Sequence, residues 1–240
     1  MRIAIFGDIH ANLEALNTVL EDSKDHGCEQ WVCLGDVVGY NADPSECLEI
    51  IRALDCPIVK GNHDEDASGD HSLEAMNPIA AEALAWTRSQ LTDDQREWLQ
   101  KVRMVRQVEN FTIVHSTLDQ PHSWGYVTNK FDAMSNFSYQ FTNLCFHGHT
   151  HVPRIFVRSA RVKEVAADSV VIEAGMKYFI NAGSVGQPRD GDWRACYCIY
   201  DLETQTVTFR RLEYDLATTQ KKILAAGLPE SLASRIAEGR

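Results

Sequence analysis

Met1-Arg-Ile-Ala-Ile-Phe-Gly-Asp-Ile-His10 opens the chain, and its reading decides the fold. Arg2-Ile-Ala-Ile-Phe6 is a short apolar run, rich in β-branched side chains, that suits a strand buried on both faces. Gly7 ends the run, and Asp8-x-His10 follows where the strand gives way to a loop. In an open α/β sheet, ligands bind outside the carboxyl ends of the strands. Residues two apart on an extended backbone project to the same side. Asp8 and His10 are therefore expected to offer a carboxylate oxygen and an imidazole nitrogen to one cation.

The pattern recurs along the chain. Leu13, Leu16, Val19 and Leu20 fall at helical spacing within residues 11–24, and Gly27 ends that helix. Residues 30–34 form a second apolar strand that runs into Gly35-Asp36. Asp43-Pro44 is a helix start, with Asp at the cap and Pro at the first helical position, and the helix runs to about Leu54. Residues 57–60 read as a third strand, running into Gly61-Asn62-His63-Asp64. Residues 65–74 are polar and read as a loop, with His71 in solvent. Asn77-Pro78 opens a helix, and Thr92-Asp-Asp-Gln95 is a capping box for another.

From about Met104 the texture changes to strands, at 104–108, 111–114, 144–146, 154–157, 170–173, 178–180, 195–200 and 206–210. A helix at 130–139 interrupts them, and one or two helices broken at Gly227-Leu-Pro229 end the chain. Two of these strands end in imidazoles, at His115-Ser116 and at His147-Gly148-His149-Thr150-His151. Ligand types at strand ends in both halves predict one domain over 1–240, with the βα half and the β-rich half as two sheets of one sandwich.

Composition narrows the function. At 240 residues there is ample length for a core. A net charge of −11 argues against gripping long nucleic acid through its phosphates. It allows a small anionic substrate, because a bound cation reverses the local field. No apolar run approaches the ~18–20 residues of a membrane span. Residue 1 leads straight into the presumed central strand, so no signal peptide is expected. The seven cysteines are scattered, with Cys33, Cys145, Cys196 and Cys198 in apolar runs, as suits a reducing cytoplasm.

The strand-end residues are Asp8, His10, Asp36, Asn62, His63, His115, His149 and His151. Carboxylate, amide and imidazole without thiolate suit a divalent ion such as Mn²⁺, Fe²⁺, Co²⁺, Ni²⁺ or Zn²⁺ rather than a closed structural zinc site. The set is too large for one ion and matches two that share an Asp, the usual device for in-line phosphoryl displacement.

Gly7-Asp8-x-His10, Gly35-Asp36, Gly61-Asn62-His63-Asp64, His115 and Gly148-His149-x-His151 resemble, in order, the five motifs of the calcineurin-like metallophosphoesterase superfamily. Asn181-Ala-Gly-Ser-Val-Gly-Gln-Pro-Arg189 is similar to a later signature of its small bacterial and archaeal phosphodiesterases. The resemblance implies a four-layer αββα sandwich with a dimetal site at the strand ends. It implies Asp8, His10 and His151 on one metal, Asn62, His115 and His149 on the other, and Asp36 bridging. A hydroxide between the ions would attack phosphorus, with Mn²⁺ the first candidate metal. His63 would face substrate and protonate the leaving alkoxide, and Asp64 would orient the loop or His63.

Ser/Thr protein phosphatases of the superfamily continue the second motif as Gly-Asp-x-x-Asp-Arg-Gly, with an Asp behind the acid His and an Arg on the phosphate. Gly39 and Tyr40 stand at those places here. That favours a phosphodiesterase of a small molecule or nucleotide over a protein phosphatase. Phosphomonoesterase and diadenosine-polyphosphate or nucleotide pyrophosphatase activities are the neighbouring alternatives. A catalytically silent binding protein is the alternative of another class, and the complete ligand set together with His63 argues against it. Arg189, Tyr40 and Asn41 are the candidates for substrate contact, Arg because its geometry matches phosphate. Trp124 and Trp193, in loops, are either stacking platforms for a base or sugar or plain packing. His147 reads as packing, with a place behind the ligands as the alternative.

Overall fold

The computed structural model describes residues 1–70, 72–73 and 76–240; His71 lies outside them. The chain order begins β1 (Arg2–Phe6), α1 (Leu13–Asp25), β2 (Cys28–Cys33), α2 (Pro44–Leu54), α3 (Asn62–Ser68), α4 (Pro78–Gln90) and α5 (Asp93–Lys101). It continues with β3 (Val105–Val108), β4 (Phe111–Val114), α6 (Lys130–Tyr139), β5 (Leu144–His147), β6 (Arg154–Arg158), β7 (Val162–Val165) and β8 (Ser169–Val171). The last elements are β9 (Lys177–Asn181), β10 (Ala195–Asp201), β11 (Thr206–Leu212), α7 (Leu216–Ala225) and α8 (Glu230–Glu238).

Two mixed sheets result. One has the order β2-β1-β10-β11-β8, the other β3-β4-β5-β9-β6-β7. β1 pairs in parallel with β2 and antiparallel with β10, while β5 lies parallel between β4 and β9. The sheets face each other across a core that includes Ile3, Ile5, Phe111, Phe146, Ile180 and Tyr200. The alternate residues of β1, Ala4 and Phe6, face Leu16 and Val19 of α1 and Leu48 of α2. Cys145, Phe156 and Phe179 turn the other way, toward Ala133 and Phe137 of α6. The period of two in each strand thus sorts side chains into a four-layer αββα sandwich.

The division of the chain differs from the sequence expectation. The sheets do not separate along the sequence, because β1 and β2 are completed by β10, β11 and β8 from the C-terminal half. A central strand buried on both faces needs two partners, and β10, Ala-Cys-Tyr-Cys-Ile-Tyr-Asp, supplies the second. Residues 57–60 make a single parallel bridge, Cys33 to Ile58, instead of a strand. The polar stretch expected as a loop begins as α3, and β7 was not apparent from sequence.

Local chemistry fixes the helix ends. Thr92 and Gln95 exchange reciprocal bonds of 3.2 and 3.0 Å at the start of α5. Asp43, at the cap of α2, makes no side-chain bond to its own helix and instead accepts from Lys222 of α7 at 2.9 Å. Among the described residues no helix is long and apolar enough to cross a membrane.

Candidate metal centre

The strand ends converge, though not on extended backbone. Asp8, His10, Asp36, His149 and His151 have φ of 49°, 47°, 52°, 69° and 60°. Left-handed backbone costs a non-glycine residue roughly 1–2 kcal/mol. Such residues persist where surrounding structure holds them, commonly at functional sites. Asp8 and His10 meet through this tight turn, not through the alternation expected of a strand.

The surroundings do hold them. Asp64 Oδ1 and Oδ2 accept from the backbone N–H of Asp36 at 2.8 Å, Val37 at 2.9 Å and Gly61 at 3.1 Å. Ser184 Oγ donates to the Asp8 carbonyl at 2.8 Å, and the Asn181 amide donates to the Gly148 carbonyl at 2.6 Å. The stretch 181–189 is thus a brace beneath two of the ligand loops. Gly148 is needed for close approach, since a Cβ there would stand 2.5 Å from Asp8 Oδ2. At Gly61 a Cβ would overlap Asp36 Oδ1.

Two donor groups form. Asp8, His10, Asp36 and His151 make one, and Asp36, His115 and His149 the other, each with ligand atoms within 4.8 Å of one another. Asp36 belongs to both. Its Oδ2 lies 3.5 Å from His10 Nε2 and 3.3 Å from His115 Nε2, and Asp8 Oδ1 lies 3.4 Å from His151 Nε2. The opposite ring nitrogens are held by backbone. His10, His115 and His151 turn Nδ1 to the carbonyls of Val38, Leu34 and Gln187 at 3.2, 2.7 and 2.6 Å. Nδ1–H donation there leaves the Nε2 lone pairs turned inward. His149 is reversed, with Nε2 2.9 Å from the Trp124 carbonyl and Nδ1 left free.

Asp36 Oδ2, His115 Nε2 and Asn62 Oδ1 are buried without a hydrogen-bond partner. Buried polar atoms are almost always paired. Asn62 Oδ1 has no partner and Asp36 Oδ2 faces only ring nitrogens, of His115 at 3.3 Å and His10 at 3.5 Å, so a divalent cation fits as the partner this cluster lacks.

Electrostatics agree. Burial holds His10, His149 and His151 below the ordinary imidazole range, so they are neutral donors. Burial raises Asp8 to about 7, helped by the Asp36 charge. Burial works against charge on His115, but the Asp36 and Asp8 carboxylates outweigh it and raise the ring to about 9. In the metal-free protein a His115 proton therefore compensates the charge of Asp36.

The calcineurin-like phosphoesterase superfamily domain matches residues 1–205. The chain belongs to that superfamily. It is 40% identical to a metallophosphoesterase from Sphaerobacter thermophilus, whose crystal structure superposes with a TM-score of 0.89 over 100% of this chain and 99% of that one. A hypothetical protein from Pyrococcus horikoshii shares the fold at 18% identity, with a TM-score of 0.82 over 100% and 98% of the two chains. An uncharacterized protein of Methanocaldococcus jannaschii is 37% identical over 99% of this chain and 98% of its own.

Around this superfamily centre a cleft of about 200 Å³ is lined by residues that include Asp36, Tyr40, Asn62, His63, Tyr126, His149 and Arg189. His63 reaches it from α3, with its backbone N–H on Asp36 Oδ1 at 2.9 Å. Burial lowers the His63 pKa. Its Nδ1 is buried and unpartnered against Gly39, where a Cβ would stand 2.7 Å away. Tyr40 packs its ring on His10 and His63, with centroids 4.8 and 4.5 Å apart. Arg189 lines the cleft with its Nη2 on Gln187 Oε1 at 2.8 Å and its Nε buried without a partner.

One expectation changes, for Asn41, and of the two alternatives for Asp64 the structure shows the loop. Asn41 is fully buried and donates to the His10 carbonyl at 2.7 Å, so it braces the ligand loop and is not a wall of the cleft. Asp64 holds backbone N–H groups and orients the loop, with no bond to His63. His147 stacks on Phe179 at 4.1 Å, outside the site, and Trp193 packs on Tyr214 at 5.5 Å. Trp124 is at the site, holding His149 by its carbonyl and facing His115 at 5.9 Å. Sequence reasoning missed Tyr126, whose ring lies 4.2 Å from His149 and is 57% exposed. Its neighbourhood, Trp124-Gly-Tyr126, was legible only as aromatic residues in a loop.

Proposed function

We propose that this protein is a phosphodiesterase of small molecules, built around two divalent cations with Mn²⁺ the first candidate. Asp8, His10 and His151 would hold one cation, Asn62, His115 and His149 the other, and Asp36 both. The observation that carries the reading is the meeting of two donor groups at Asp36, whose inward oxygen faces a ring nitrogen from each group. Bound cations supply charge to the phosphoryl oxygens and acidify the attacking water.

The chain's own residues supply the rest. With Nδ1 turned to Gly39, His63 has Nε2 left to face the cleft and to protonate the departing alkoxide. Gly39 supplies no carboxylate to favour the protonated ring, consistent with the lowered pKa, so the charge of the bound phosphoryl group would have to favour it for the acid role. Tyr40, Met76, Ala80 and Tyr126 give the cleft apolar walls that suit the second esterified group of a diester. The cleft volume and the net charge of −11 favour a small substrate over long nucleic acid. Phosphomonoesterase activity is the second reading, favoured by the free Nε of Arg189 beside the site.

Turnover of bis(p-nitrophenyl) phosphate and p-nitrophenyl phosphate by the Mn²⁺-loaded protein separates these readings. Diester turnover above monoester turnover is expected, falling about 10²–10⁴-fold in His63→Ala without loss of metal. Faster monoester turnover selects the second reading. Bound metal with neither ester hydrolysed contradicts the substrate class, and absence of both metal and turnover leaves a silent binding protein.

A further inference from the structure

We propose that Arg189 and Arg235 form an anion subsite beside the metal centre, and that the substrate carries a second phosphate, separate from the one that is cleaved. The identity of the cleaved group rests on the phosphodiesterase reading above; the subsite itself rests on the two arginines.

Arg189 comes from the loop after β9 and Arg235 from α8, yet both guanidiniums converge on one ring. Their Cζ atoms lie 5.8 and 5.9 Å from the centroid of Tyr40. Arg189 donates to Gln187, and Arg235 Nε donates to the main-chain oxygen of Arg240, the last residue of the sequence, at 2.7 Å. Among the described residues neither meets an Asp or Glu carboxylate. Other half-buried arginines do, Arg210 with Asp22, Arg211 with Asp190 and Arg194 with Asp192. The contrast has weight in a chain with 34 acidic and 23 basic residues, where counterions are plentiful.

Two guanidiniums beside one ring with no acidic side chain between them repel each other. Burial and the Arg189 charge together lower the Arg235 pKa, the direction expected of unrelieved repulsion. An arriving anion relieves it, and phosphate matches the planar donor fork of arginine. Tyr40 also fixes where that anion must be. Its ring packs directly on His10 and His63, so one aromatic ring separates Arg235 from the reacting region. The cleaved phosphate belongs at the donor groups, and the second one a few bonds further out. Arg235 also lies beyond residue 205, where the match to the superfamily domain ends.

Binding of adenosine 3′,5′-bisphosphate and of AMP to the Mn²⁺-loaded full chain, measured by calorimetry, tests the subsite without turnover. The bisphosphate is expected to bind about tenfold tighter than AMP, as one charge-assisted phosphate contact provides. Arg235→Ala should erase that ratio, and Arg235→Lys should keep part of it by retaining the charge without the fork. A ratio near one in the unmodified protein, or a ratio intact in Arg235→Ala, overturns the proposal. The kinetic counterpart uses the p-nitrophenyl ester of thymidine 5′-phosphate with and without a 3′-phosphate. The same preference should appear there, carried by KM. Hydrolysis of neither ester with the binding ratio intact would sink the phosphodiesterase reading and uphold the subsite. Hydrolysis of both with no preference would sink the subsite alone.

Discussion

At the scale of the residue, the centre is a set of side chains that need a cation to satisfy them. Asp36 Oδ2, Asn62 Oδ1 and His115 Nε2 are buried and unpaired, and five ligand-type residues hold left-handed backbone to bring their donors inward. Protons compete for the same atoms. His115, raised to about 9, and Asp8, raised to about 7, must both lose their protons before binding a metal. Below about pH 7 both are protonated, so the cation expels two protons and its apparent affinity falls. Affinity should climb between about pH 7 and 9 and level off above. Mn²⁺ titrations across that range, in buffers of different ionisation enthalpy, should show this climb with proton release. A flat profile without proton release would contradict it.

At the scale of the element, α3 shows why some structure was illegible. Asn-His-Asp-Glu-Asp-Ala-Ser has no apolar period, so the stretch reads as a loop. Its helix is stabilised from outside, by Asp64 taking backbone N–H groups of the β2–α2 connection and of Gly61. β7 was hidden for a similar reason, since Val-Lys-Glu-Val does not alternate and becomes a strand only by pairing with β6. The elements that were legible carry their own signals: the apolar run of β1, Pro44 at the start of α2, and the capping box of α5. Asp64→Asn tests the external support. It keeps one acceptor oxygen but points an amide donor at backbone donors, and should cost about 1–3 kcal/mol. Urea unfolding reads the loss, and a weaker affinity for Mn²⁺ should accompany it. Unchanged stability would mean that the loop is held by other contacts.

At the scale of the whole molecule, the two ends of the chain build one sheet. β1 lies between β2 and β10, and Asp22 of α1 ties that layer together, accepting from Tyr197 of β10 at 2.6 Å and from Arg210 of β11 at 2.7 Å. Most of the metal donors were legible because they follow an apolar run and a glycine within a few residues, and His115 because it directly follows β4. Their assembly from both sheets followed from resemblance, not from local pattern. Arg235 was illegible, because nothing in α8 announces a neighbour as distant in sequence as Tyr40. Asn41 was misjudged because adjacency in sequence to a ligand does not say which way a buried amide points.

All of this turns on whether two donor groups share Asp36. The most direct test is the metal stoichiometry of the full chain, by elemental analysis after Mn²⁺ loading and desalting, for the unmodified protein and for Asp36→Asn. About two equivalents per chain are expected, falling in the variant because both groups lose their common carboxylate. A single equivalent in the unmodified protein, or two retained in Asp36→Asn, would contradict a dimetal centre joined at that residue.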